Sequence, residues 1–173
     1  LFRKEHNTNP LSINGSVFAH ANLANIYSDL NLDNIALDYL YKGQKLIKKC
    51  QEPYIPNIRI NMALGMIYSK LNKLKKSITL FEDIYVSANK KKQIQIIIPA
   101  LVNLSGCYAK QKKYKKAMEL NQEALTLSKK INESHYISTI LNTQAEHFEK
   151  LDNFTKALDL YKQGLKENIK KTS

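Results

Sequence analysis

The stretch ANLANIYSDLNLDNIALDYLYKGQ, residues 21–44, sets Ala24, Tyr27, Ala36 and Gly43 at steps of three, nine and seven residues. The same steps return as Gly65, Tyr68, Ser77 and Ile84, then as Ser105, Tyr108, Ala117 and Ala124, then as Ala145, Phe148, Ala157 and Gly164. Successive copies are offset by 41, 40 and 40 residues. Constant steps in four copies make an internal repeat, and a period of this size marks a solenoid. In such an array each unit leaves an apolar face that the next unit covers.

Each copy reads as two helices joined by a short polar break, as at LNLD (30–33), LNKL (71–74), QKKY (111–114) and LDNF (151–154). The apolar spacing predicts helices near 16–30, 33–50, 57–71, 74–90, 95–111, 114–131, 135–150 and 154–170. The repeats then run over about 16–52, 56–92, 95–132 and 135–170. Residues 1–15 read as the remnant of a preceding helix or a linker, and 16–173 as the repeat domain. Asp33 and Asp152 are candidate helix caps. Pro53, Pro56 and Pro99 fall near helix entries, where a missing N–H costs least, although Pro99 is expected to kink its helix.

The spacing has a physical reason. Two antiparallel helices approach closely only where side chains are small. The small residue of the first helix (Ala24, Gly65, Ser105, Ala145) is expected to meet that of the second (Ala36, Ser77, Ala117, Ala157). The ring at Tyr27, Tyr68, Tyr108 or Phe148 fills the remaining wedge. Stacking of hairpins supplies most of the stability, at ~25 cal/mol per Å² of apolar area buried.

Composition agrees. Apolar residues make up 43% of 173, which allows a core, while five glycines, four prolines and no tryptophan disfavour a turn-rich β fold. No run of 18 apolar residues exists, so no membrane span is expected. The net charge of +12 admits an acidic partner. The lysine clusters at 48–49, 90–92, 112–116, 129–130 and 170–171 are scattered and not interleaved with stacking rings, which argues against direct nucleic-acid binding. Cys50 and Cys107 form no motif and suit a reducing, cytoplasmic setting. His6, His20, His135 and His147 lack metal-ligand spacing, and no glycine-rich phosphate loop is present. Neither a cofactor, a metal nor an enzymatic activity is expected.

The columns resemble the tetratricopeptide repeat: Leu23-Ala24, Tyr27, Ala36, Leu40, Gly43; Leu64-Gly65, Tyr68, Ser77, Phe81, Ile84; Leu104-Ser105, Tyr108, Ala117, Ala124; and Ala145, Phe148, Ala157, Tyr161, Gly164. The resemblance covers about residues 17–170. Two departures stand out. The period is about 40 rather than 34, which resembles the repeats of bacterial peptide-pheromone receptors, of multi-repeat bacterial regulators and of some eukaryotic cargo adaptors, and Asn121 replaces the aromatic of the third repeat, which is expected to loosen packing. The resemblance implies an all-α, right-handed superhelical solenoid of about four antiparallel hairpins, with the first helices lining a concave groove that binds peptides or proteins.

Two residues before the small residue, the groove-facing position holds Asn22, Ala63 and Asn103; Asn142 lies three before Ala145, and Asn25 lies beside Ala24. An amide can pair with a peptide backbone without demanding a sequence. Lys70, Lys110 and Lys150 recur at one position as a basic ladder for acidic groups. Arg59, Met62 and Met66 give the second repeat an adaptable apolar patch. The expected function is a non-enzymatic module, the sensor or scaffold part of a larger bacterial regulatory protein involved in signalling, with an extended peptide in its groove. The alternative is a spacer or self-association module without a groove ligand, forming a homodimer through the last helix by Leu158, Tyr161, Leu165 and Ile169.

Overall fold

The computed structural model describes the backbone of residues 10–170. Among these there are eight helices and no strand, as the repeat predicts: α1 Pro10–Asp29, α2 Asp33–Ile47, α3 Tyr54–Lys70, α4 Leu74–Lys90, α5 Ile94–Lys110, α6 Tyr114–Lys130, α7 Ser134–Glu149 and α8 Phe154–Lys170. Residues 1–9 of the expected leading segment lie outside the described residues, and α1 opens at Pro10 rather than 16. Each helix from α3 to α8 has 16 or 17 residues. Two such helices with their three- or four-residue turns account for the 40-residue period. The single offset of 41 arises because α2 has 15 residues and is followed by a longer link over 48–53. No described helix is long and apolar enough to cross a membrane.

Six of the seven turns share one closure. Asn31, Asn72, Lys92, Lys112, Asn132 and Asp152 all adopt positive φ, between 55° and 61°. In each, the next residue's N–H reaches back across the turn, as Leu32 N–H to Tyr27 C=O (2.8 Å), Lys113 N–H to Tyr108 C=O (2.9 Å) and Asn153 N–H to Phe148 C=O (2.9 Å). This double closure satisfies carbonyls that the helix end would otherwise leave open. It also corrects the expected caps. Asp152 is the left-handed turn residue, and the neighbouring Asn153 offers its Oδ1 to the Lys156 N–H at 3.3 Å. Asp33 is the first residue of α2, not its cap, and Leu32 in the cap position makes no side-chain bond.

Contacts divide the chain into two compact units between Lys73 and Leu74. In the first, α1 packs on both α2 and α3, and α2 on α3. Val17, Ala21, Ala24, Ala36, Leu40, Ile60 and Ile67 are almost wholly buried there. Gly43 permits the close approach of α3, since a Cβ would stand 2.6 Å from Ile60 Cδ1. Tyr27 stacks on Tyr39 with centroids 5.3 Å apart.

In the second unit each helix packs on the next, and α5 also touches α7. Ile97, Ile98, Leu101, Ala124, Leu125, Ile137, Ile140 and Leu141 form a shared core. The expected meeting of small residues is explicit in the α5–α6 hairpin. Ser105 and Ala117 are both fully buried, and the Ser105 hydroxyl donates to the Ala117 carbonyl at 2.9 Å. A larger side chain at 105 would push the helices apart. Ala145 and Ala157 are buried in the same manner in the α7–α8 hairpin. Pro99 sits within α5, which continues through it; the Asn103 Nδ2 donates to the Pro99 carbonyl at 2.8 Å.

Candidate partner-binding site

The first helices α1 and α3 lie side by side in the first unit and carry six of the expected residues, Asn22, Asn25, Arg59, Met62, Met66 and Lys70. Arg59 places its guanidinium 5.3 Å from the Phe18 ring and Nη2 3.5 Å from Asn22 Oδ1. The cation over a ring face gains from the ring quadrupole, and the amide holds the fork in place. Lys70 donates to the Ser28 carbonyl and lies 3.2 Å from Asp33 Oδ1, an oxygen that also accepts the Ser28 hydroxyl at 2.9 Å. Lys70 therefore ties α3 to the turn after α1. Its charge is shared with an acid that the spacing argument did not connect to it. Asn25 and Met62 are half-buried and Met66 is exposed. At the far edge Tyr41 and Tyr68 share a hydrogen bond at 2.9 Å; burial first, and then this bond, push the Tyr68 phenol up to about 12.

In the second unit Lys110 closes α5 and Lys150 follows α7, both exposed and at matching ends of adjacent first helices. Asn103 and Asn142 are half-buried. Asn103 turns back on its own helix through Pro99. Asn142 lies over α8, with Oδ1 2.5 Å from where a Gly164 Cβ would stand. Of the expected residues, the fold brings Arg59 against Asn22. The sequence reading missed Phe18 as the partner of Arg59, and Ser28 and Asp33 as the partners of Lys70. The signal for them would have been the one-repeat register between α1 and α3. It also missed a groove of about 590 Å³ between α6 and α8, whose lining includes the Phe148 ring but none of the residues expected to bind a partner. Among the described residues no three His, Cys, Asp or Glu side chains gather as a metal site.

Models of the tetratricopeptide repeat match residues 97–166 and 58–85. Among solved structures, aspartyl phosphate phosphatase F from Bacillus subtilis superposes with a TM-score of 0.81 at 17% identity, covering 92% of this chain and 42% of that one. The apo form of RapI does so with a TM-score of 0.77 at 17% identity, covering 91% of this chain and 57% of that one. The chain thus spans roughly half the length of these two proteins or less, and the likeness is one of fold. No curated protein matches it. Two family matches, four copies of one residue pattern and eight helices in hairpin register make this chain a tetratricopeptide-repeat protein.

Proposed function

We propose that the chain is a non-enzymatic protein-binding module of a larger bacterial regulatory protein, and that it holds an extended peptide segment along its paired first helices. The observation that carries this reading is the pairing of α1 with α3 and of α5 with α7. In the second unit Lys110 and Lys150 recur at one register of the adjacent first helices. The pre-ordered Arg59 fork, held by Phe18 and Asn22, is suited to a peptide carboxylate or carbonyl. Asn103, Lys110, Asn142 and Lys150 are the corresponding candidates in the second unit. The experiment is selection of extended peptides from a random display library on the whole chain. Arg59→Ala and the pair Asn103→Ala with Asn142→Ala should weaken the selected peptides while the melting temperature barely moves. Peptides bound equally well by all variants would overturn the groove assignment. Hydrolysis of an aspartyl phosphate by this chain alone would overturn the non-enzymatic reading.

A specific observation favours a second reading, self-association through α8. Leu158, Leu165 and Ile169 are 54%, 60% and 55% exposed on one stripe of that helix. Light scattering should then show a dimer that Leu165→Glu disperses; a monomer unchanged by that substitution would count against it.

A further inference from the structure

The repeat register allows one seam of the second unit to be compared with the next. Between α4 and α6 the seam is laced by polar bonds. Tyr108 on α5 donates to Glu82 on α4 at 3.0 Å, and Lys116 on α6 donates to the Tyr108 oxygen at 2.8 Å while covering its ring at 4.0 Å. Tyr85 on α4 donates to Glu123 on α6 at 2.9 Å. Those bonds raise the Lys116 ammonium and the Tyr85 phenol above their ordinary pKa ranges.

Forty residues on, the lacing groups are replaced one by one. Glu82 becomes Gln122, Tyr108 becomes Phe148, Tyr85 becomes Leu125 and Glu123 becomes Gln163. Only the lysine persists. Lys156 stands where Lys116 stood, over the Phe148 ring at 4.5 Å, but the acid that would face it across the seam is gone. This seam is the open groove of about 590 Å³ between α6 and α8.

The groove's chemistry defines its occupant. Its floor is aliphatic, with Leu125 and Leu141 at 5% and 4% exposure and Leu160 beside them. Its rim carries Lys115, Lys129 and Lys156 against the single carboxylate Glu119. Along α6 it runs from Lys115 to Lys129, which is about 21 Å at 1.5 Å per residue. A trough of that length between α6 and α8, with an apolar floor to which α7 contributes Leu141, fits the ridge of a further helix. The ring that could stack a base is already covered by Lys156.

We propose that this groove docks an acidic amphipathic helix of a partner protein, whose carboxylates take the place of the missing Glu82 and Glu123 equivalents. The site is separate from the first-helix surface and lies on residues that the peptide reading does not use.

The test uses a labelled synthetic helix of about 14 residues, with leucines along one ridge and glutamates beside them, titrated against the whole chain by fluorescence anisotropy. Saturable binding that weakens with salt is expected. The same peptide with glutamine for glutamate should bind about tenfold more weakly, as should the acidic peptide to Lys156→Gln. The double variant Gln122→Glu with Phe148→Tyr rebuilds the lacing and should lose the peptide while keeping or raising its melting temperature. Asn103→Ala with Asn142→Ala should leave binding unchanged, which separates this site from the proposed peptide groove. Absence of binding, equal affinity for the two peptides, or undiminished binding to the relaced variant would overturn the proposal. So would displacement of the helix by duplex DNA at equal concentration.

Discussion

Phe81 and Asn121 occupy the same place one repeat apart, and both are completely buried. In α4 that place holds a ring. In α6 it holds an amide whose oxygen and nitrogen both lack a hydrogen-bond partner. The departure from the family pattern seen in the sequence therefore costs more than packing volume. It seals two polar atoms away from water, each carrying a desolvation penalty of roughly 1–3 kcal/mol. Asn121→Leu, which matches Leu40 at the equivalent place in the first repeat, should raise stability by about 1–2 kcal/mol. Urea denaturation followed by circular dichroism measures this. A lower midpoint would show that the amide is satisfied.

The turns offer a second test, because the left-handed conformation is strained for most side chains. Asn and Asp tolerate it, and four of the six positive-φ positions hold them. Lys92 and Lys112 do not belong to that set. Both are exposed, so their side chains lose little when removed. Lys92→Gly and Lys112→Gly should each stabilise the fold by about 1 kcal/mol, and Lys112→Val should destabilise it. Equal melting temperatures across the three variants would mean that these turns are not held at positive φ.

His147 predicts a pH dependence. Its ring is 4% exposed, Nδ1 has no hydrogen-bond partner, and burial holds its pKa below the ordinary value of 6.5. The folded state thus prefers the neutral ring. The contribution is fully present above about pH 6.5 and falls away as the pH drops through the lower folded value, because the unfolded chain takes up the proton first. His147→Leu should flatten that part of the stability profile between about pH 7 and 5. An unchanged slope in the variant would rule the residue out as its source.

Gly164 and Asn142 are expected to be coupled. Alanine is favoured over glycine in a helix by about 1 kcal/mol, so Gly164→Ala has an intrinsic gain. The new methyl would meet Asn142 Oδ1 at 2.5 Å and the Ser138 carbonyl at 3.4 Å, which forces the amide to move. The substitution should be neutral or unfavourable alone and favourable in an Asn142→Ala background, a coupling of about 0.5–1 kcal/mol. Simple additivity in the double-mutant cycle would show that the amide does not lie over α8.

The sequence alone determined the eight helices, because apolar residues at helical spacing and small residues at fixed steps leave few other ways to bury a face. It placed the small pair Ser105 and Ala117, which the α5–α6 hairpin joins by a hydrogen bond. It also named Arg59 and Asn22 without knowing that they meet. Which side chains face one another across a repeat depends on packing between residues some forty positions apart, and no local period encodes that. Tertiary structure alone turned Lys70 onto Asp33, laid Asn142 over Gly164 and sealed the amide of Asn121. It alone showed that the seam laced by Glu82, Tyr108 and Lys116 stands open one repeat later. The physical reason is that hydrogen bonds and ion pairs form at distances near 3 Å, which only the helix arrangement sets.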